Sequence, residues 1–468
     1  ASLDDAKKEL YKVDLSLIPV LAAMQFDGTN INRHDAQAKL LALEDQKRAL
    51  EQMIDTVAKE SGYASPIRVD TCKSCRNGSR KRVSCEQCHG VGQFHSRVPF
   101  NPGSNDQIVA WLHYHLMLPI QGQTKGGGVS VDSLALLRLR PLHVGAQLLL
   151  MYKQVTKYIG FLTAWLKWSQ EDSKLHPVFT MARTRSSRHS SQDPNVQQVK
   201  GEWREFFVPP PGRQFIAADY SQIELRIPAF MSKDPGLVAA MTAEQGTRAS
   251  DLHAQNVERI FGVSYERQQD ADFDKSKRTR AKNFMFGALY GSKGKEIQAV
   301  IEKAMLEEDT IAADIPSMKE IAAAIRVIQD SYSVYFHEWV PAAIHKCREA
   351  DGWVSTLYGH VRYLPDILSS DRYLCEAAER ACVSHIIQGS AGDILRFATL
   401  RIAELIAESP ATMTLHLTAH DELVISATDV SDWLVDDIRT ILELGQPFAP
   451  IPLIVDVSVG DTWKESHK

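Results

Sequence analysis

Several stretches of the chain hold residues whose types and spacing could do chemistry together. In Phe215-Ile216-Ala217-Ala218-Asp219-Tyr220-Ser221-Gln222-Ile223-Glu224-Leu225-Arg226, an apolar run ends on an acid and passes into a polar turn. In a second stretch, His420-Asp421-Glu422 lies between the apolar runs Leu415–Thr418 and Leu423–Ser426, which reads as a β-hairpin with acids at its tip. If both elements are neighbours in one sheet, Asp219 and Asp421 meet. Two carboxylates at that range repel unless cations sit between them, and a pair of Mg²⁺ ions ~3.5–4 Å apart suits the arrangement. Such a pair activates an attacking oxygen and neutralises a leaving phosphate. Taken singly, either Asp is better read as a solvated turn residue.

A third stretch, Arg278-Thr279-Arg280-Ala281-Lys282-Asn283-Phe284-Met285-Phe286-Gly287-Ala288-Leu289-Tyr290-Gly291, sets Arg278, Lys282, Phe286 and Tyr290 at steps of four, on one helix face. Two cations at its N-terminal end can hold a triphosphate, and two rings further along can meet a sugar and a base. Gly291 suits the helix end. Alone, the pattern also fits a helix with a solvated basic end and a buried apolar end; beside the paired acids the nucleotide reading prevails. A fourth stretch carries Cys72-Lys73-Ser74-Cys75 and, nine residues on, Cys85-Glu86-Gln87-Cys88. Two such knuckles suit a closed, tetrahedral, structural Zn²⁺ site in a segment too small for its own core. His89 and His95 are weaker substitutes for a thiolate.

The elements that must position these groups are strands over 214–219, 414–418 and 423–426, a helix over 278–290, and a mostly helical stretch over 237–350. Before them come a short lead-in and a long helix within residues 1–62, where Leu43, Leu50, Ile54 and Val57 recur at helical spacing. Residues 183–212 read as a polar loop ending in Pro209-Pro210-Pro211-Gly212. Net charge is −5, so a protein-wide basic footprint is excluded and nucleic-acid contact must be local. Residues 63–100 hold seven basic and two acidic side chains, a local net of +5, which makes the cysteine segment such a patch. Hydrophobic residues at 44% and charged residues at 24% argue against a disordered or disulfide-dense chain. No apolar run approaches the ~20 residues of a membrane span. An odd count of seven cysteines without a secretory signal favours a reducing, cytoplasmic setting.

Together, Asp219–Arg226, Arg278–Gly291 and His420–Glu422 resemble motifs A, B and C of the family A DNA polymerases, the polymerase I group. Arg188 with Ser190–Gln197 resembles the family's primer-template segment. Glu379-Arg380 through Gln388-Gly389 resembles its minor-groove helix, and Thr356–Gly359 through Leu364–Ile367 a segment of its later part. Leu17–Leu21 with Met24 and Gly28, then Phe100 to Gln107, resemble parts of the thumb, and Gly460–Trp463 the C-terminal end. Residues 63–99 have no counterpart. The resemblance implies an α/β (α+β) right-hand fold: thumb, antiparallel palm sheet and helical fingers. Expected boundaries are 1–135 for the thumb with its zinc insert, 136–236 for thumb–palm helices and motif A, 237–350 for fingers, and 351–468 for the remaining palm.

The same resemblance assigns roles. Asp219 and Asp421, with the Tyr220 carbonyl, would hold two Mg²⁺; Glu422 would support them, and Lys282 would act on the triphosphate with Arg278 and His253. Tyr220, Ser221, Gln222, Glu224, Phe286 and Tyr290 would surround the nucleotide, Glu224 blocking a ribose 2′-OH by bulk. Arg188, Asn195, Gln197, Arg380, Ser384, Gln388 and His420 would contact DNA. Ser187, Ser384 and His360 stand where the pattern often has Gly, Asn and Arg. The implied activity is DNA-directed extension of a primer 3′-OH with deoxynucleoside triphosphates in replication, by a monomer whose nucleotide-binding helix closes over the substrate. No exonuclease acids are expected, so neither is proofreading. The insert's place points to a phage or viral enzyme working in a host cytoplasm and to a processivity factor or replisome protein docked there. A single-subunit RNA polymerase shares several elements, but Glu224 and residues 356–388 weigh against it. A catalytically silent zinc-containing replisome protein is opposed by the intact Asp219, Lys282 and Asp421.

Overall fold

The computed structural model describes residues 3–64, 67–72, 93–97, 99–124, 126–181, 184, 188–199, 201–307, 315–408, 412–444 and 448–467. The chain divides into two compact units, Gln37–Thr163 on one hand and Ala1–Ala36 with Ala164–Lys468 on the other. Helices predominate, and every described sheet is antiparallel.

The larger unit is built around a four-stranded sheet. Its strands are β1 (Gln214–Tyr220), β2 (Met413–Ala419), β3 (Glu422–Ala427) and β4 (Val455–Gly460), in the order β2-β3-β1-β4. Strand β1 is central, and Phe215 through Ala218 are buried on both faces, which explains an unbroken apolar run where alternation would mark a half-exposed strand. Strands β2 and β3 form the expected hairpin. Its two-residue turn holds His420 at φ 57°, an uncommon region for a side chain larger than glycine. The register sets Asp219 opposite Glu422 on one side and Asp456 on the other.

After β1 the chain enters the Ile223–Ser232 helix, and further on the Leu252–Phe261, Ser276–Leu289, Gly294–Glu307 and Met318–Ser331 helices. Gly287 allows close packing: a Cβ there would lie 2.5 Å from Ile297 Cγ1. The Met318–Ser331 helix starts on a Ser317–Glu320 capping box. Arg372–Ser384 and Ser390–Glu408 are helices joined through a π-helical turn, His385–Gly389, an irregularity frequent at functional sites.

The N-terminal stretch departs from expectation. In place of a short lead-in, Leu3–Asp27 is a 25-residue helix, followed by the 28-residue Arg33–Glu60 helix. Leu10, Leu17, Leu21 and Met24 bury one face, but Leu15, Ile18 and Phe26 are exposed on another. Apolar residues on two faces, plus Pro19, blur the helical period.

The smaller unit packs around a fully buried Trp111, whose indole N–H donates to Ser61 Oγ at 2.9 Å. Phe100 lies edge-on to Trp111 at 5.0 Å. Strands Ile67–Thr71 and Gln93–Arg97 pair to form a ribbon at the ends of the cysteine segment. Cys72 is buried beside it; Cys75, Cys85 and Cys88 lie outside the described residues.

Candidate active site

The acids converge as their spacing predicts. Asp219 is the penultimate residue of β1, Glu422 opens β3 opposite it, and the Tyr220 N–H donates to the Asp421 carbonyl at 3.2 Å. Burial, then the charges of Asp421 and Glu422, push Asp219 up to about 7; His467 opposes the shift and Asp456 adds to it. Asp421 is also raised, by burial first; Arg188 opposes and Glu224 reinforces the shift. Both carboxyls therefore sit where negative charge is unwelcome without a cation.

Glu422 stands apart because its oxygens are engaged. Arg204 Nη1 donates to Oε2 at 3.1 Å and Trp463 Nε1 to Oε1 at 3.0 Å, while His467 Nδ1 lies 3.2 Å from Oε1. The Arg204 guanidinium in turn sits 4.2 Å from the Trp463 ring centroid. Glu422 is thus a buried, braced carboxylate whose oxygens are already engaged. Arg204, Trp463, His467 and Asp456 were not identified from sequence as site residues. They come from distant segments, and only register and folding bring them together.

The turn after Asp219 is clamped from beneath. Arg226 is fully buried, its Nε donating to Ser221 O at 2.8 Å and its Nη1 to Met241 O at 3.1 Å and Pro452 O at 2.8 Å. Burial lowers this guanidinium's pKa to about 10. The Ser221 N–H donates to Ile454 O at 2.8 Å. Gln222 adopts φ 54° with its Oε1 buried and unpartnered, so the turn is held in an unusual shape next to the acids.

The cationic helix face forms as expected. Arg278 and Lys282 are exposed, whereas Phe286 and Tyr290 are partly buried. Asp251 Oδ1 caps the neighbouring helix through Ala254 N at 2.8 Å, and its Oδ2 pairs with Arg278 Nη2 at 2.9 Å. The His253 ring lies 5.9 Å from Phe286. Burial, and then the Lys282 and Arg278 charges, lower His253 to about 4, so it is neutral near pH 7. Its Nδ1 is buried without a partner. Two cations and an under-satisfied imidazole at one place are suited to phosphate oxygens.

Glu224 joins this face to the rest of the site. One carboxylate oxygen accepts from Arg188 Nη2 and the other from the Tyr290 hydroxyl. Burial and the Glu224 charge hold that phenol well above its ordinary range, so it remains a donor. Ser384 Oγ donates to Gln388 Oε1 at 3.2 Å, and Gln388 also reaches the Tyr290 hydroxyl.

The expected DNA contacts are placed as follows. Arg188 is committed to Glu224. Asn195 Oδ1 accepts from Gln197 N at 3.1 Å, and Gln197 Nε2 donates to His189 O at 3.2 Å and Thr418 O at 3.3 Å, bracing this loop against the hairpin. Arg380 lies 3.7 Å from Glu296, and His420 is exposed at the hairpin tip. Among the described residues no group of three or more His, Cys, Asp or Glu side chains forms a metal site, and no helix is long and apolar enough to cross a membrane.

The model of DNA polymerase family A matches residues 80–465. A thermostable DNA polymerase I of Thermus thermophilus is 32% identical over 377 residues, covering 78% of this chain and 42% of that protein. DNA polymerase I of Pseudomonas aeruginosa is 29% identical over 389 residues, covering 79% and 39%. The chain therefore spans less than half the length of these relatives. Among solved structures, the polymerase domain of Pol1 from M. smegmatis, in complex with DNA primer-template and dNTP, is similar in fold. Its TM-score is 0.77 at 24% identity, over 98% of this chain and 73% of that one.

Proposed function

Since the chain belongs to DNA polymerase family A, we propose that it extends a primer 3′-OH on a DNA template with deoxynucleoside triphosphates, releasing pyrophosphate. The observation that carries this reading is the meeting of Asp219 and Asp421 at the end of one sheet.

The donor chemistry fits Mg²⁺: two carboxylates above their ordinary pKa, hard oxygen ligands, and Glu422 already committed elsewhere. Asp219, Asp421 and the Tyr220 carbonyl would hold it, with substrate phosphates and water completing the shell. When bound, Mg²⁺ supplies charge neutralisation and a more acidic 3′-OH.

The protein's own residues do the rest. Arg278, Lys282 and His253 bind the triphosphate, and Lys282 can donate a proton to the departing phosphate oxygen. Phe286 and Tyr290 lie against sugar and base. Glu224, held by the Tyr290 hydroxyl, blocks a 2′-OH. When DNA arrives, Arg188 exchanges Glu224 for the primer, and Gln388 and Arg380 read minor-groove acceptors, which test pair geometry rather than sequence. Residues 1–135, most of which fall in the Gln37–Thr163 unit, take the thumb's part.

In the insert, the Ile67–Thr71/Gln93–Arg97 ribbon brings the cysteine segment's ends together, which supports a structural Zn²⁺ on Cys72, Cys75, Cys85 and Cys88. The +5 patch would face DNA phosphates or a processivity factor. A phage or viral origin belongs to this part of the reading. Elemental analysis should find one zinc per chain and none after Cys72→Ser with Cys85→Ser; an unmodified chain without zinc overturns it. Primer extension with Mg²⁺ tests the main reading, and absence of extension with DNA binding retained refutes it.

A further inference from the structure

We propose that a cavity of about 630 Å³ beside the Val340–Glu349 helix binds a planar aromatic ligand carrying one anionic group. None of the residues assigned to nucleotide, metal or DNA lines it. Its volume lies within the roughly 300–1,000 Å³ of small-molecule sites.

The walls are mostly apolar and already rigid. Trp339 is stacked on the fully buried Tyr335 at 5.3 Å and 19°, and the Tyr335 hydroxyl is anchored on Leu289 O at 2.9 Å. Trp353 lies against Tyr363, its partner across the Trp353–Tyr363 hairpin, at 4.8 Å and 32°. Both indoles line the cavity, so two preorganised aromatic surfaces are available at little entropic cost. Small side chains, Ala342, Ala343 and Ala350, leave room for a flat ring system. Water would find few hydrogen-bonding partners on such walls.

The charge preference follows from Lys346. Of its helical neighbours, Arg348 pairs with Glu379, and Glu349 lies 3.4 Å from His345. Lys346, exposed at the cavity, forms no ion pair among the described residues. An anionic substituent would complete it. Cys347 also lines the space, but burial raises its thiol, so it packs against a ligand rather than reacting with one.

Fluorescence titration of the full chain with anilinonaphthalene sulfonate, and with its uncharged analogue phenylnaphthylamine, tests this without any polymerase assay. Both probes should bind saturably at one shared site. Lys346→Gln, at an exposed position, should weaken the sulfonate about fivefold and leave the neutral probe unchanged. Ala343→Trp should fill the cavity and abolish both; if that variant fails to fold, the Lys346→Gln comparison still decides. Absence of saturable binding, equal sulfonate affinity in Lys346→Gln, or equal weakening of both probes overturns the proposal.

Discussion

Replacing Asp219 with Asn should stabilise the metal-free protein at alkaline pH while removing its activity. Burial and the neighbouring acids raise the Asp219 carboxyl from an ordinary value near 3.8 to about 7. Between those values the folded protein holds a proton that the unfolded chain has released. Stability therefore falls as pH rises through this window and is flat above it. From pH 5 to pH 8 the protein crosses about two pH units of the window, a ceiling of ~2.7 kcal/mol. Asp421 and Glu422 share the repulsion and relax when one charge is removed, so ~2 kcal/mol is the expected difference. The assay is urea unfolding followed by circular dichroism in EDTA at both pH values. Asp219→Asn should gain ~2 kcal/mol over the parent at pH 8 relative to pH 5, and added Mg²⁺ should narrow the gap by stabilising only the parent. A gap independent of pH would refute the electrostatic reasoning.

Other perturbations test other parts of the site. Arg204→Met strands a buried Glu422 carboxylate that keeps only Trp463 and His467, so urea midpoints should show a loss of ~2–3 kcal/mol. Glu224→Ala should raise the kcat/KM ratio of ribo- to deoxyribonucleotides at least about tenfold in single-nucleotide insertion. Away from the acids, burial alone would lower the His360 pKa, but contacts with Asp14 and Asp393 outweigh it and raise the ring to about 9. That contribution is complete below pH 6.5 and lost as pH rises through 9. His360→Gln should therefore cost ~1–2 kcal/mol at pH 6 and little at pH 10, by the same unfolding assay.

What could be read from the chain depended on whether neighbours in sequence are neighbours in space. Arg278, Lys282, Phe286 and Tyr290 lie on one helix, so a step of four was enough to align them. Asp219 and Asp421 were legible because one lies near the end of an apolar strand and the other at the tip of an apolar hairpin, and antiparallel pairing does the rest. The Glu422 support was not legible: Arg204, Trp463 and His467 come from a polar loop and the chain's last residues, and no local pattern announces a buried carboxylate's donors. Nor was the clamp of Arg226 on three carbonyls, since an arginine in a motif does not reveal that it is buried. The Leu3–Asp27 helix stayed hidden because apolar residues on two faces erase the period that periodicity arguments need.

The most direct measurement is primer extension in Mg²⁺ by the unmodified chain and by Asp421→Ala, with DNA binding followed in parallel. Template-directed extension is expected from the first, none from the second, and comparable DNA binding from both. Extension by Asp421→Ala at the parent's rate, or DNA binding without extension by the unmodified chain, would contradict it.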